Sequence, residues 1–323
     1  MRFKHITHAA AALALALGFG GAQAQDYPSR PVRVIAPFPA GSGPDVNARE
    51  MAGKLTPLLG QTVIVENRPG AAGAIGTDAA AKAAPDGYTL YIGTTSTMSI
   101  VPYIYSKLTF NAERDFVPVS LLGVLNTGLI AHPSVPAANA RELVALLKAK
   151  PESMASATQG IGSYSHLSGE WFNFASGATI RFVPYNTSSP YNDLLAGQVQ
   201  LMFDALPAAI GNVKSGKLKV LAITGKARHP ALPEVPTFAE AGLGDYESLA
   251  WQGLFAPAGT PKAIIDKLGA AMAQVGKSPD LADKWRSYGG ELHGSSPAEF
   301  AAFLKMDQAR WSAVVKRAGV KLD

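Results

Sequence analysis

Four short loops carry the residues of this chain best suited to chemistry. They are Ala40-Gly41-Ser42-Gly43, residues 93–97 (GTTST), residues 159–163 (QGIGS) and residues 186–189 (NTSS). Each follows a run of strand-forming residues, and in open α/β sheets ligands sit beyond the carboxyl ends of strands. The groups these loops offer are backbone N–H, hydroxyl and amide donors, with no Lys or Arg among them. That chemistry suits a carboxylate better than a polyphosphate, which usually calls for Lys or Arg. A hydrogen bond to a charged group contributes about 1.5–3 kcal/mol, and a helix terminus about 0.3–1 kcal/mol. Several together offset the several-kcal/mol cost of desolvating a carboxylate. Any one loop alone also reads as a tight helix–strand turn.

The first loop sits in the most informative stretch, residues 32–49 (VRVIAPFPAGSGPDVNAR). Val32, Val34 and Ile35 form a strand that Pro37 and Pro39 end. Gly41 and Gly43 permit close backbone approach, and Pro44 suits the first turn of a helix. The turn aims free N–H groups and a positive helix end at one spot. Asp45 also reads as a favourable first-turn carboxylate, and Asp204 as a cap on the helix after its strand. Trp171 and Trp251 read as packing residues.

The elements that must position these loops alternate. After the first strand, Ala48, Met51, Ala52 and Leu55 lie at helical spacing, with Leu58 and Leu59 beyond Pro57. Residues 62–66 (TVIVE) predict a second strand, 77–84 a helix and 88–92 a third strand. This βαβαβ order predicts a mainly parallel sheet with helices on both faces. Residues 116–140 lack Asp, Glu, Lys and Arg and predict a buried crossing between lobes. The pattern then restarts. Helices are expected over 141–150 and 163–175, and strands over 153–158, 179–183, 199–203 and 219–224. Residues 249–256 (LAWQGLFA) suggest a second crossing, followed by helices over 261–275 and 297–318. The two crossings divide the chain into lobe 1, residues 25–125 plus 249–323, and lobe 2, residues 126–248.

Residues 1–24 read as a secretory signal peptide. Arg2 and Lys4 give a basic start, residues 9–19 an apolar core, and Ala22-Gln23-Ala24 a small-x-small cleavage site. The apolar core falls well short of the ~20 residues a membrane span needs. The expected location is the periplasm. A mature chain of 299 residues would carry a net charge of +3, down from +5, with no basic block that implies nucleic acid. No cysteine is present, which excludes a lipoprotein anchor, a disulfide framework and a Cys metal site.

Enzyme signatures are sparse. Ser163 and His166 could form a hydrolase pair, but residues three apart on one helix are neighbours by geometry alone. His166 also reads as a surface residue paired with Glu170. There is no Gly-x-Ser-x-Gly elbow, no HExxH and no nucleotide-binding Gly-x-x-x-x-Gly-Lys-Ser/Thr loop. No catalytic residue, metal or cofactor is therefore expected.

In six ordered motifs the chain resembles the Bug family of extracytoplasmic solute receptors, the periplasmic partners of tripartite tricarboxylate transporters. The motifs are PSRPVRVIAPFPAGSGPDVNAR, VIVENRPGAAGAIG, APDGYTL, GIGSYSHLSGEWF, LLAGQVQLMFD and LPEVPTFAEAG. The resemblance covers essentially the whole mature chain. It implies an α/β, two-lobed periplasmic-binding-protein fold (a type II Venus flytrap) with the ligand in the interlobe cleft. It implies a carboxylate held by Phe38, Ala40, Gly41, Ser42 and Asp45 from one lobe. From the other come Gly160, Gly162, Ser163 and His166. Thr95, Ser96, Thr97, Tyr185, Asn186, Thr187 and Asp204 would line the remainder. Two departures bear on the ligand. The family commonly has Lys-Gly after the tyrosine matching Tyr185, where this chain has Asn186-Thr187-Ser188. Its first loop is commonly Gly-Gly, here Gly41-Ser42. Less positive charge makes an aromatic or monocarboxylic acid as plausible as a di- or tricarboxylate. The implied partners are the acid and the membrane subunits of the transporter, with the receptor a monomer. A receptor that docks on a sensor kinase is the alternative.

Overall fold

The computed structural model describes residues 27–322 except 187, 207–208, 226, 245, 247 and 288, so the expected signal peptide lies outside the described residues. In chain order the elements begin with β1 (Val32–Ala36), α1 (Gly43–Leu59), β2 (Val63–Asn67), α2 (Ala74–Ala81), β3 (Thr89–Thr94), a π-helical turn (Thr95–Ile100) and α3 (Val101–Ile104). There follow β4 (Phe116–Leu125), β5 (Thr127–Ala131), α4 (Ala140–Ala149), β6 (Ala155–Thr158), α5 (Tyr164–Ser176), β7 (Arg181–Pro184), α6 (Tyr191–Leu195), β8 (Leu201–Ala205), α7 (Ile210–Lys214) and β9 (Lys219–Ile223). The chain ends with β10 (Ala250–Pro257), α8 (Lys262–Val275), α9 (Pro279–Ser287), β11 (Gly290–Leu292) and α10 (Pro297–Ala318).

These strands form a six-stranded sheet, ordered β11-β4-β10-β3-β1-β2, and a five-stranded sheet, ordered β7-β6-β8-β5-β9. The expected mainly parallel sheet is corrected to two mixed ones. Strand β1 pairs parallel with β2 and β3, and β6 with β7 and β8. Strand β10 pairs antiparallel with β3 and β4, and β5 with β8 and β9. The reason lies in the stretches that the sequence presents as crossings. Residues 116–131 are two strands interrupted only at Asn126, one in each sheet, and residues 250–257 form a strand of the first sheet. Both stretches are uncharged because they are sheet core, buried on both faces. They pass from sheet to sheet side by side: Thr127 Oγ1 donates to the Ser248 carbonyl at 3.0 Å.

Helix α1 shows why the local sequence folds as it does. Pro44 occupies its first turn, and Ala48, Met51, Ala52, Leu55 and Leu59 bury one face against the first sheet. Full burial of a side chain such as Met51 or Leu55 contributes about 1.5–3 kcal/mol. The helix runs through Pro57 and stops at Gly60, whose φ of 69° is the left-handed cap that glycine accepts without strain. Helix α10 starts on a Ser296/Glu299 capping box. Its Trp311 lies edge-on to Tyr164 and Trp171 of α5, with ring centroids 5.6 and 6.0 Å apart. One apolar cluster thus joins Tyr91 and Phe255 of the first sheet to Tyr164 and Leu167 beside the second.

Candidate ligand site

A cavity lies where the strand ends of the two sheets face each other. The first sheet and its loops contribute Phe38, Pro44, Thr94, Thr95, Ser96, Ala250, Trp251 and Gln252; the second contributes Gln159, Tyr164, Asp204 and Ala205. It holds about 30 Å³ of water-accessible space, enough for roughly one or two water molecules. Of the expected site residues, Phe38, Thr95, Ser96 and Asp204 line it. Pro44, Thr94, Gln159, Tyr164, Ala205, Ala250, Trp251 and Gln252 join them without having been among the expected ligand contacts.

The first loop is braced from within. The Asp45 carboxylate accepts from Gly41 N–H at 2.9 Å and from Asn67 Nδ2 at 2.8 Å, and it pairs with Arg49 at 2.9 Å. Burial pushes its pKa up, but the bonds from Arg49, Gly41 and Asn67 outweigh that and hold it below the usual carboxylate range. Ser42 Oγ donates to the Pro39 carbonyl at 2.6 Å and makes no side-chain cap on α1. Ala40 and Gly41 are exposed. In the second loop, Thr94 and Thr97 form a reciprocal capping box on the π-helical turn. Thr95 Oγ1 accepts from Trp251 N–H at 2.9 Å, and Ser96 Oγ accepts from Tyr164 N–H at 2.8 Å.

The third loop is held tightly against the first sheet. A side chain at Gly162 would start 1.9 Å from Ile104 Cδ1, and one at Gly160 would start 2.8 Å from Asn186 Oδ1 and 3.3 Å from Ala72 N. Ser163 caps α5: its Oγ accepts from His166 N–H at 3.4 Å and bonds Ser165 Oγ at 2.9 Å. Ser163 and His166 therefore meet through a backbone N–H and not through the imidazole. His166 is not the surface residue that one reading of the sequence suggests, being 5% exposed. Its Nδ1 accepts from Gly162 N–H at 3.1 Å, and its ring stands edge-on to Phe182. Burial pulls its pKa down to about 4, so at neutral pH it is uncharged and its 3.6 Å approach to Glu170 is no ion pair. In the fourth region, Tyr185 donates to Asp193 at 2.6 Å, Asn186 is exposed, and Thr187 lies outside the described residues.

Among the described residues, no Lys, Arg or His lines the cavity. Its one carboxyl group among the described residues is Asp204, which accepts from Tyr191 Oη at 3.0 Å, from Ala205 N–H at 2.8 Å and from Gln159 Nε2 at 3.4 Å. Burial raises its pKa to about 6, against the pull of the Ala205 and Tyr191 bonds. Two like charges 4 Å apart repel by about 4 kcal/mol at an effective dielectric constant near 20. Asp204 therefore matters to whatever anion shares this space. A larger groove of about 360 Å³ involves none of the four loops, and its Arg228 and Glu240 pair with each other at 2.9 Å.

A family model described as the tripartite tricarboxylate transporter family receptor matches residues 47–320. The chain belongs to this receptor family. The solved structure of periplasmic binding protein BugD is 35% identical, with a TM-score of 0.87 over 91% of this chain and 99% of BugD. Rpa4515 of R. palustris, solved with adipate, is 34% identical, with a TM-score of 0.88 over 92% of this chain and 99% of its own. MatC of Rhodopseudomonas palustris, solved with malate, is 32% identical, with a TM-score of 0.85 over 90% of this chain and all of its own (100%). As a member of this family, the chain has the periplasmic-binding-protein fold that its motifs imply, and the family is one of solute-binding proteins.

Proposed function

We propose that this receptor captures a small carboxylate between its two sheets and hands it to the membrane subunits of a tripartite transporter. In this reading, residues 25–125 with 249–323 form one lobe and 126–248 the other. The lobes hinge where Asn126–Thr127 and Ser248–Ala250 pass between the sheets. The observation that carries the reading is the cavity itself, lined from both sheets by neutral donors and bridged by the Ser96–Tyr164 bond. Two relatives solved with dicarboxylates support the ligand class.

With about 30 Å³ of space, the cavity admits a diacid only when the sheets move apart. Access then goes with opening and capture with closure. The loops at Phe38–Asp45 and Gln159–His166 and the residues Thr95–Thr97 frame the ligand, with Tyr185 and Asn186 at the rim. Asp45 serves the first loop as a brace and not as a ligand contact. A micromolar complex needs about −8.2 kcal/mol, within reach of a few charge-assisted bonds plus apolar burial.

The test is a thermal-shift screen against aliphatic, hydroxy, amino and aromatic acids, followed by titration calorimetry and small-angle scattering. A bound acid should raise the melting temperature and compact the protein. Saturation with no change in radius would sink hinge closure, and silence across the whole acid panel would sink the carboxylate reading. Co-purification of the loaded receptor with the transporter's membrane subunits tests delivery.

A further inference from the structure

Behind the cavity's first-sheet wall lie two polar residues of α10, Asp307 and Gln308, which do not line the cavity themselves. We infer that Asp307 is a positioning residue for ligand capture: acting through Trp251, it presets the first-sheet wall of the cavity. The inference rests on the carboxylate-receptor reading.

Three observations lead there. First, Asp307 is an acid in apolar surroundings. It is 6% exposed and shares the buried stripe of α10 with Leu304 and Trp311, one turn away on either side. An apolar side chain of similar volume often serves a fold as well as a buried charged group does. The fold alone therefore does not account for a carboxyl group here. Second, Asp307 Oδ2 accepts the indole N–H of Trp251 at 2.5 Å. Trp251 is buried and lines the cavity. Phe300 and Phe303 stand edge-on to its ring, with centroids 5.6 and 5.8 Å away. The second side-chain torsion of a tryptophan has two broad wells, and a hydrogen bond is directional. The bond to Asp307 selects the well that points the N–H at α10. At its main chain, Trp251 donates to Thr95 Oγ1 at 2.9 Å, so its setting passes to a second lining residue. Third, Gln308 Nε2 donates to the Met98 carbonyl at 3.0 Å, inside the π-helical turn Thr95–Ile100. Turns of this kind are rare and are frequent at functional sites. This one carries Thr95 and Ser96 into the cavity wall, and Ser96 meets Tyr164 of the second sheet. Two consecutive residues of α10 thus hold both parts of the wall. A wall set before the ligand arrives has less freedom to lose on binding, which favours affinity.

The experiment titrates the full receptor with adipate, malate, propionate and benzoate by calorimetry. Asp307→Leu removes the acceptor at similar volume, and it should weaken every acid that binds the wild type by about tenfold. Asp307→Asn keeps an acceptor oxygen and should stay within roughly threefold of wild type. A double-mutant cycle with Trp251→Phe asks whether Asp307 acts through the indole. In that background Asp307→Leu should cost less than about twofold more, because the N–H it serves is gone. A residue that served the fold alone would lower melting in the variants and leave affinity where it was. A second measurement holds even if Asp307→Leu does not fold. The chain has four tryptophans, and Trp251→Phe identifies the Trp251 indole N–H in a nitrogen-15 spectrum. That N–H should exchange slowly with deuterium in the unliganded receptor, and equally slowly with acid bound. Rapid exchange before acid is added overturns the inference, since the wall is then not preset. Wild-type affinity in Asp307→Leu, or the full loss repeated in the Trp251→Phe background, also overturns it and leaves the carboxylate reading standing. Failure of all four acids to bind the wild type overturns the carboxylate reading, and the role of Asp307 in capture falls with it.

Discussion

Ser96 Oγ accepts the backbone N–H of Tyr164 at 2.8 Å, joining the turn after β3 to the first residue of α5 across the cavity. The same tyrosine reaches the passages between the sheets at its other end. Its hydroxyl donates to Thr127 Oγ1 at 2.8 Å and lies 2.6 Å from Ser248 Oγ. Tyr164 thus ties cavity and hinge together. Replacing Ser96 by Ala removes one cross-sheet bond worth about 1 kcal/mol, which is roughly a fivefold loss of affinity. Titration calorimetry on Ser96→Ala should show that loss with the melting temperature of the unliganded protein nearly unchanged. Unaltered affinity would mean the bond plays no part in the bound state.

Asp45 braces the first loop through Gly41, Asn67 and Arg49. Asp45→Ala strips the loop of these bonds and should destabilise the protein by about 2 kcal/mol, discounted for the half-exposed Arg49. Because the folded-state pKa of Asp45 is depressed, its contribution is present above the ordinary carboxylate pKa and lost as pH falls through the lower folded value. Urea denaturation should show the wild-type advantage at pH 7 shrinking below about pH 4. An Asp45→Ala variant as stable as wild type at pH 7 would leave the brace without weight.

Much of the site's frame was legible in the sequence because it is local. The β-branched run, prolines and glycines of residues 32–45 specify strand, turn and helix within fifteen residues of one another. The cavity lining was not, because it is assembled over long separations. Gln252 and Trp251 reach Thr94 and Phe38 only because β10 returns antiparallel beside β3. No local pattern announces that return, and an uncharged stretch reads the same whether it crosses between lobes or pairs in a sheet. The role of Asp45 was undecidable for a similar reason: one of its partners, Asn67, is the last residue of the next strand. The motif around His166 was visible, but its burial against Phe182 depends on how α5 packs on its sheet.

His166 and Asp204 should oppose each other in the pH dependence of stability. His166 is held neutral by burial, with a folded pKa of about 4, so its contribution is full above the unfolded value near 6.5 and is lost as pH falls toward 4. Asp204 has a raised folded pKa of about 6, so its contribution is full below the unfolded value near 3.8 and is lost as pH rises through 6. Each effect is about 3 kcal/mol at most, and the two largely cancel between pH 4 and 6.5. Melting curves should therefore vary little with pH in the wild type over that window. His166→Gln should become relatively more stable toward acid, and Asp204→Asn relatively less. Parallel pH profiles in the two variants would refute the assignment.

Gly162 packs the third loop closely against α3. Its φ is 81°, and an added Cβ would sit 1.9 Å from Ile104 Cδ1 on α3. Ile104 has some freedom to turn its terminal methyl aside, but the left-handed backbone costs a non-glycine residue about 1–2 kcal/mol whatever room is made. That backbone cost is the same in open and closed forms, whereas in the proposed cycle the clash with Ile104 falls on the closed arrangement, where loop and α3 touch. The open form escapes the clash. Gly162→Ala should then weaken acid binding roughly tenfold, through a faster off-rate seen by stopped-flow fluorescence, and enlarge the radius of the protein at half-saturating ligand. If melting falls by several degrees while affinity and radius stay at wild-type values, the strain belongs to the fold of the second sheet alone and closure does not compress this contact.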